Sequence, residues 1–407
     1  MSLVNEVSIL YNAEILDISS GVYAEGDLRI DDGVITEIGK NLPRPARASV
    51  IDARGRYLIP GLIDCHVHLN AESADLGSNA RTSPTLQAAH ASQAMSSMLS
   101  RGFTTVRDVG GADYGLAEAQ RRGLFVGPRV KFGGPALSQT GGHGDFRGPG
   151  DDAEPICRHG IGRVVDGVDG VRAAVRDEVR KGADHIKIMA SGGAASPTDR
   201  VDSTQFSEEE IRAAVEEATA ANRYVTAHAY TARAVNRCLN YGVRGIEHGN
   251  FIDEESIRLF NSTEAFLVPT LVTYWALQRE GRENGQSTES ARKVDVILEA
   301  GLGALERATM GGVNIVYGSD LLGRMQRHQN KEFEIRAEVQ SPLEILTSAT
   351  STAARLIEEE ERVGRLEVGM VADLIMLDED PLEKISVLAN PHDHINLVMQ
   401  AGTVVKN

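Results

Sequence analysis

The chain is organised around one stretch near its N-terminus, Leu58-Ile59-Pro60-Gly61-Leu62-Ile63-Asp64-Cys65-His66-Val67-His68. Its first part is apolar with a Pro-Gly pair, and its end carries two histidines one residue apart. In a β-strand alternate side chains share a face, so His66 and His68 would point the same way at the strand's C-terminal end. Such a pair is suited to a transition metal such as zinc. A half-buried strand with two incidental histidines is the alternative that this motif alone leaves open.

The composition of the 407 residues is that of an ordinary globular protein, with 42% hydrophobic and 25% charged residues. The formal net charge of -16 is poorly suited to nucleic acid or an anionic membrane, so we expect a small-molecule partner. No apolar run is long enough to span a bilayer. Because the first residues show neither a basic nor an apolar segment, we do not expect export. Cys65, Cys157 and Cys238 are widely spaced, which indicates reduced thiols and a cytoplasmic location.

Eight strand-like runs, most of them separated by helical patterns, occupy the middle of the chain. They begin near Leu62, Thr104, Arg129, His185, Tyr224, Gly245, Ala265 and Val313. Eight strands alternating with helices over about 300 residues predict an α/β fold of the (β/α)8 TIM-barrel type. An open doubly wound sheet is the alternative, but the chain has neither a GxGxxG motif nor a P-loop.

Both ends of the chain contain short strand-like runs. These runs cover residues 7–11, 26–30, 34–38, 372–377 and 395–399. Asp31-Asp32-Gly33 between the second and third runs is a hairpin signal. We therefore predict a small β-sandwich domain built from residues 1–59 and 365–407, with the barrel formed by residues 60–364.

Three further segments have interpretable helical patterns. Ser207 and Glu210 form a capping-box signature at the start of a helix that is predicted to end near Asn222. The polar stretch 273–293 is helix-like and is expected as an excursion near the barrel mouth. The run of four glutamates at 358–361 is interpreted as a solvated helix face.

Active sites of such barrels lie at the C-terminal ends of the strands. The polar residues expected at those ends are His66, His68, Lys187, His228, His248 and Asp320. Lys187 is flanked by Ile186 and Ile188, so it points into the barrel, where an unpaired ammonium is costly. Two interpretations stay open: a lysine paired with Asp108 or Glu247, or a lysine converted by carbon dioxide into an anionic carbamate that bridges two metals.

These motifs resemble those of the amidohydrolase superfamily over essentially the whole chain. Residues 60–68 are similar to its opening motif, the later lysine, histidines and aspartate come in its order, and Gly369-Met370-Val371-Ala372-Asp373-Leu374 is similar to its return into the small sandwich. The resemblance implies two divalent metal ions, expected to be zinc. It implies that His66, His68 and Asp320 hold one ion, that His228 and His248 hold the other, and that a carbon dioxide-derived carbamate on Lys187 bridges both.

The resemblance also implies a mechanism for hydrolysing an amide bond. Two cations lower the pKa of a shared water, so that a metal-bridging hydroxide is available near neutral pH. Asp320 would take the proton of that hydroxide and pass it to the leaving nitrogen. This second transfer is needed because an unprotonated amine is a poor leaving group.

A narrower resemblance points to the substrate. It is carried by Thr140-Gly141-Gly142-His143-Gly144-Asp145, His228-Ala229-Tyr230 and Ser319-Asp320-Leu321-Leu322-Gly323. These motifs are similar to a subgroup near imidazolonepropionase, and the whole pattern most resembles the Xaa-Pro dipeptidases (prolidases) of that group. Imidazolonepropionase itself lacks the bridging lysine, so Lys187 argues against that activity. The resemblance implies that His143 and Tyr230 bind the substrate and stabilise the oxyanion; a loop-stabilising histidine and a packed tyrosine ring are the alternatives.

The carboxylate of a dipeptide requires a cation. Arg324, His328 and Arg200 are candidates on loops near the barrel mouth, with ordinary surface residues as the alternative.

Other activities remain open from the sequence. They are an Xaa-Arg/Lys dipeptidase, an N-acyl amino acid hydrolase, a lactonase or cyclic amidase of the same superfamily, and a non-catalytic amidohydrolase-like scaffold. Hydrolases of other classes are disfavoured because the chain has neither a GxSxG elbow nor an HExxH motif. The family resemblance also implies a homo-oligomer.

Overall fold

A computed structural model describes residues 7–148, 150–153, 161–196 and 199–406, so that Cys157 lies outside the described residues. Its strands are β1 Val7–Asp17, β2 Val22–Asp31, β3 Val34–Gly39, β4 Ser49–Asp52, β5 Tyr57–Pro60, β6 Leu62–Val67, β7 Phe103–Asp108, β8 Arg129–Phe132, β9 Ala136–Ser138, β10 Gly162–Val164, β11 His185–Met189, β12 Tyr224–Thr231, β13 Gly245–Phe251, β14 Phe266–Val268, β15 Asn314–Ile315, β16 Leu374–Leu377, β17 Ile395–Gln400 and β18 Thr403–Lys406. Its α-helices are α1 Leu76–Asn79, α2 Pro84–Ser100, α3 Tyr114–Arg121, α4 Gly167–Arg180, α5 Glu208–Ala220, α6 Ala232–Asn240, α7 Glu254–Thr263, α8 Leu271–Glu280, α9 Thr288–Met310, α10 Lys331–Arg336, α11 Pro342–Ser348, α12 Ser351–Leu356, α13 Ser386–Ala389 and α14 Pro391–His394. Short 3-10 helices cover Arg282–Asn284 and Gly323–His328.

Two parallel sheets form the central barrel. One has the order β6-β7-β8 and the other has the order β10-β9-β11-β12-β13-β14-β15. Backbone hydrogen bonds join them at both seams: Asp184 N donates to Phe132 O at 2.8 Å, and Cys65 N donates to Tyr317 O at 2.9 Å. Each of the eight predicted runs contains a strand, and the prediction of a TIM barrel is confirmed.

The terminal strands form one eight-stranded sheet in the order β18-β17-β16-β5-β1-β2-β3, with β4 paired to β1. It has its own apolar core, to which both ends of the chain contribute; examples are Leu10, Ile30 and Leu397. The predicted hairpin is present between β2 and β3, where Asp32 and Gly33 have φ values of 50° and 82°, as a two-residue type I′ turn requires. The division of the chain at residues 60 and 364 stays a prediction.

The capping box predicted for α5 is present. The Ser207 side chain accepts from the backbone N–H of Glu210, and the Glu210 carboxylate accepts from the Ser207 N–H. The helix-like stretch 273–293 comprises most of α8, the 3-10 helix Arg282–Asn284 and the start of α9, and residues of α8 line the pocket described below. In the described part of the chain, no helix combines the length and apolar character needed to cross a bilayer.

The interpretation of residues 358–361 as a solvated helix face is wrong. Helix α12 ends at Leu356, and the glutamates follow it in a turn. Glu359 is buried and pairs with Lys131 and Arg362. A run of like charges can therefore contain a buried member when the neighbouring elements supply the opposite charge.

Candidate metal centre

One pocket at the C-terminal ends of the barrel strands contains all six residues that the sequence placed there. The pocket is lined by His66, His68, Lys187, His228, His248 and Asp320, together with His143, Tyr230, Thr273 and Tyr274 and the apolar residues Leu76, Phe146, Ile161, Met189, Ala194, Ala195, Leu277 and Leu322. Parallel strands place their C-terminal ends at the same edge, and this geometry brings residues that are distant in the chain to one place.

Three of these side chains are arranged as a metal site would require. Asp320 Oδ1 lies 3.3 Å from His66 Nε2 and 3.2 Å from His68 Nε2. The ligand atoms of the three residues all lie within 4.8 Å of one another. Two imidazoles and a carboxylate are a donor set that zinc accepts, so the residues fit a divalent metal ion.

Hydrogen bonds to the Nδ1 atoms fix the orientation of the His66 and His68 rings. His66 Nδ1 lies 2.7 Å from Glu247 Oε2, and His68 Nδ1 lies 2.8 Å from Gly110 O. Each Nδ1 can donate to its oxygen partner, and both Nε2 atoms face Asp320, on the side where a metal ion would bind. Metal-binding histidines characteristically have such a partner on the other ring nitrogen.

Glu247 orients the His66 ring, a role that the sequence analysis did not assign to it. It is fully buried, and besides His66 it contacts Arg107, whose Nη2 donates to Glu247 Oε1 at 2.7 Å. Burial acts to raise the pKa of Glu247, but Arg107 and His66 outweigh it and hold the pKa well below its usual range. Glu247 is therefore a charged acceptor for the His66 ring.

A local irregularity explains how Glu247 and its neighbour His248 both reach the barrel interior. In a regular strand, adjacent side chains face opposite sides. His248 has a φ of 76°, in the left-handed region, and the pairing of β12 with β13 shifts register between Ala229 and Thr231. Asp320 also has a positive φ, of 51°. Such conformations are costly for residues other than glycine and are concentrated at functional sites.

His228 and His248 form the other side of the pocket, with ring centroids 4.7 Å apart. His228 Nε2 lies 3.1 Å from Gly192 O, and His248 Nδ1 lies 2.8 Å from Thr270 Oγ1. Burial lowers the pKa of both imidazoles well below the usual value near 6.5. Both rings are thus neutral at physiological pH, which is the form that binds metal.

Lys187 lies in the barrel interior with a side chain that is only 2% exposed. Ile186 and Ile188 pack on the opposite side, in the core between the sheet and the helices, as the alternation predicts. Burial lowers the pKa of Lys187 to about 8. The two carboxylates considered as its partners are engaged elsewhere: Asp108 accepts from the backbone N–H groups of Leu69, Gly110 and Ala112, and Glu247 is paired with Arg107.

His143 and Tyr230 both flank His228 in this pocket. The His143 ring stacks on His228 with centroids 4.2 Å apart, and Tyr230 meets the same ring edge-on at 4.8 Å. Tyr274, which the sequence did not single out, donates its hydroxyl hydrogen to Tyr230 Oη at 3.1 Å and lies 3.0 Å from His248 Nδ1. Tyr274 lies on helix α8, whose sequence contains no recognisable catalytic motif, so the sequence alone could not identify it as a pocket residue.

The three candidate cations for a substrate carboxylate do not line the pocket. Arg324 is exposed, on the short 3-10 helix that follows Asp320. His328 pairs with Glu280, its Nε2 lying 2.7 Å from Oε1, and Arg200 is exposed and pairs with Asp202. Their positions therefore give no support to a role in substrate binding.

Comparisons with known proteins assign the chain to a family. Residues 57–405 match the model of the amidohydrolase family, and the chain belongs to that family. Ochratoxinase from Aspergillus niger is 32% identical over 410 aligned positions, which cover 95% of this chain and 84% of that protein.

Two solved structures are similar over almost the whole chain. One is a prolidase complexed with N-methylphosphonate-L-proline, which is 50% identical with a TM-score of 0.97 and covers 98% of this chain and 100% of that one. The other is an Xaa-Pro dipeptidase with methionine bound in its active site, which is 29% identical with a TM-score of 0.90 and covers 99% and 100%. The protein is thus an enzyme that hydrolyses C–N bonds, and not a non-catalytic scaffold.

Proposed function

We propose that the protein is a metal-dependent dipeptidase that hydrolyses Xaa-Pro dipeptides, that is, a prolidase. The observation that carries the proposal is the pocket itself, which combines a set of metal donors with an apolar wall. The similar prolidase of known structure binds a proline derivative that carries a tetrahedral phosphonate, and this likeness supports proline as the substrate's C-terminal residue.

The proposal includes two divalent metal ions, expected to be zinc. His66, His68 and Asp320 would hold one ion and His228 and His248 the other; the neutral imidazoles and the paired carboxylate described above support this assignment. When bound, the two ions would polarise the scissile carbonyl and lower the pKa of a water molecule.

The proposal also includes a carbamate on Lys187, which would supply an anionic oxygen ligand to the ions. An amine reacts with carbon dioxide only when it is unprotonated, and burial lowers the pKa of this amine to about 8. The modification would replace a buried cation with an anion, which the charge of bound metal ions would favour.

Bicarbonate should accelerate the recovery of activity when zinc is added to the metal-free protein. In a Lys187→Gln variant, which has no amine to modify, the rate of recovery should not depend on the bicarbonate concentration.

Three side chains then have defined roles in the reaction. Burial acts to raise the pKa of Asp320, but His66 and His68 outweigh it and hold the pKa well below normal, so its carboxylate can accept the proton of the attacking water and pass it to the proline nitrogen. Burial raises the pKa of Tyr230, which therefore keeps its proton and can donate a hydrogen bond to the oxyanion. His143 is the second donor, on the adjoining face of His228.

The lining of the pocket favours proline over a basic residue. An arginine or lysine side chain of a substrate would require a carboxylate partner. Among the described residues that line the pocket, Asp320 is the one carboxylate, and it is committed to the histidines. The apolar residues, such as Phe146 and Leu277, offer a surface suited to a pyrrolidine ring.

A panel of dipeptides tests the substrate directly. Zinc-loaded enzyme should hydrolyse Ala-Pro and Met-Pro with kcat/KM at least about tenfold above Ala-Arg, Ala-Lys and N-acetyl-proline, which corresponds to about 1.4 kcal/mol of transition-state discrimination. A flat profile or a preference for basic residues would instead support the Xaa-Arg/Lys dipeptidase, and a preference for acetylated substrates would support the N-acyl amino acid hydrolase. Elemental analysis that finds no metal in the active protein would exclude the mechanism.

A further inference from the structure

The segment 192–196, which follows β11, contacts two histidines of the pocket at once. Gly192 O lies 3.1 Å from His228 Nε2, and Ser196 Oγ lies 2.9 Å from His143 Nδ1. Two residues between them, Ala194 and Ala195, line the pocket itself. A displacement of this segment would therefore change the positions of the groups that face the substrate.

The same segment encloses the His143 ring. A Cβ atom at Gly193 would lie 2.2 Å from His143 Cε1, so the ring packs directly on the glycine backbone. Asp199 Oδ2 lies 3.7 Å from His143 Nδ1, and the Ser196 hydroxyl donates to Asp199. Gln205 links Asp199 to the backbone of His143: its amide nitrogen donates to Asp199, and its amide oxygen accepts from the His143 N–H. The ring orientation of His143 thus depends on where this segment lies.

Lys293 holds the segment from helix α9. Its Nζ donates to the carbonyl oxygens of Gly193 at 3.2 Å, Ser196 at 3.2 Å and Asp199 at 2.8 Å, which engages all three hydrogens of the ammonium. The side chain is 13% exposed, and Nζ lies 3.8 Å from Asp199 Oδ1. A compact ammonium matches three convergent carbonyls better than a planar guanidinium does.

We propose that Lys293 is a positioning residue for the hydrolysis: it fixes the segment 192–196 and Asp199, and so holds the His143 ring against His228 where it can stabilise the oxyanion. The inference rests on the proposed function for the role of His143. Lys293 itself does not line the pocket, so it acts through the segment that it binds.

Loss of the Lys293 contacts should weaken binding of the transition state more than binding of the substrate. Lys293→Met keeps most of the aliphatic stem and removes the three donors; we expect kcat for Ala-Pro to fall about tenfold or more while KM stays within about twofold, because a small misplacement of a catalytic group is costly. The affinity for N-methylphosphonate-L-proline should fall by a similar factor, whereas that for L-proline should not change. Lys293→Arg, which keeps a charge and donors, should recover part of the loss.

A double-mutant cycle distinguishes this role from a general loss of stability. If Lys293 acts through His143, Lys293→Met should lower kcat much less in a His143→Ala background than in the wild type. The matched control is Arg307→Met, since Arg307 lies on the same helix and donates to Ile252 O at 3.3 Å, outside the pocket; it should leave kcat unchanged.

Two further measurements make the outcome decisive. The rate of amide hydrogen exchange of residues 190–196 should rise in Lys293→Met. This measurement uses no substrate, so its outcome does not depend on whether Xaa-Pro dipeptides are the true substrates. Asp199→Asn loosens the same assembly and replaces Lys293→Met if that variant does not fold. An unchanged kcat, an equal effect in the His143→Ala background, or a loss of metal that accounts for the lost turnover would overturn the inference. Failure of wild-type protein to cleave any Xaa-Pro dipeptide, with the exchange result intact, would instead remove the proposed function.

Discussion

Tyr230 and Tyr274 are joined by one hydrogen bond and yet are expected to differ in importance. Tyr274 donates to Tyr230 Oη, which leaves the Tyr230 hydrogen free for the substrate. Tyr230→Phe should lower kcat about 100-fold, as removal of an oxyanion donor does, whereas Tyr274→Phe, which only orients that donor, should cost about tenfold. Steady-state kinetics with Ala-Pro compares the two. A larger effect of Tyr274→Phe would reverse the roles.

Asp320 offers a second test at this scale. Asp320→Asn preserves the shape of the side chain and removes its capacity to accept a proton, so we expect kcat to fall about 100-fold to 10,000-fold. Metal content has to be measured on the same sample, because Asp320 Oδ1 lies beside both His66 and His68. Turnover within a factor of two of wild type would exclude Asp320 as the proton carrier.

The sequence predicted residues whose spacing fixes their direction, and it missed those that depend on irregular backbone or on distant contacts. His66 and His68 follow from the two-residue period of a strand. Glu247 does not, since only the positive φ of His248 lets neighbouring side chains both turn inward. Lys293 lies on a long helix and meets its partners through tertiary packing, which no local pattern records. Arg324 was placed near the substrate by loop position alone, and the 3-10 helix exposes it.

Among the elements, helix α8 begins without a cap from its own residue. Thr270 has a φ of 50°, and its hydroxyl is turned to His248. Glu332 of α10 caps the helix instead of Thr270. Its Oε2 accepts a hydrogen bond from Val272 N at 2.6 Å, at the positive end of the helix dipole. This buried carboxylate therefore fixes the helix that carries Tyr274 into the pocket.

Glu332 also gives a pH-dependent prediction. Burial raises its pKa from the usual value near 4.5 to about 7, against the opposing effect of Arg336. Between pH 4.5 and 7 the unfolded chain has released this proton while the folded protein keeps it, so the contribution of Glu332 to stability falls as pH rises and stays low above pH 7. Glu332→Gln cannot ionise and still offers an oxygen to Val272. The Tm of Glu332→Gln relative to wild type should rise from pH 5.5 to pH 8, by the equivalent of about 2 kcal/mol, because the effect levels off above pH 7. A constant difference would contradict the raised pKa.

Elements with a strong local signal agree with the sequence, and those stabilised by distant charges do not. The Asp-Gly hairpin and the α5 capping box are encoded within four residues each, and both are present. Glu359 is buried because it pairs with Lys131 on β8. Lys131 is distant in the sequence, so the composition of residues 358–361 could not predict this ion pair. Local rules therefore describe turns and caps well, whereas burial of charge is decided by tertiary structure.

At the scale of the whole molecule, the ions should stabilise the fold. The proposed donors lie on or just after β6, β11, β12, β13 and β15, so the folded state should bind metal far better than the unfolded chain. Removing metal with a chelator should lower Tm by the equivalent of about 4 kcal/mol if the free metal had exceeded Kd a thousandfold. Differential scanning fluorimetry measures the shift; zinc should restore Tm, and His66→Ala should show a smaller response. A homo-oligomeric assembly and a cytoplasmic location stay predictions.

The hydrogen bond from Asp320 N to His66 O, 2.8 Å long, joins the two ends of the barrel sequence. A ribosome must release nearly the complete barrel before these residues can meet. A nascent chain that stops short of residue 320 lacks Asp320, so under the proposed function the complete set of metal donors forms only late in synthesis.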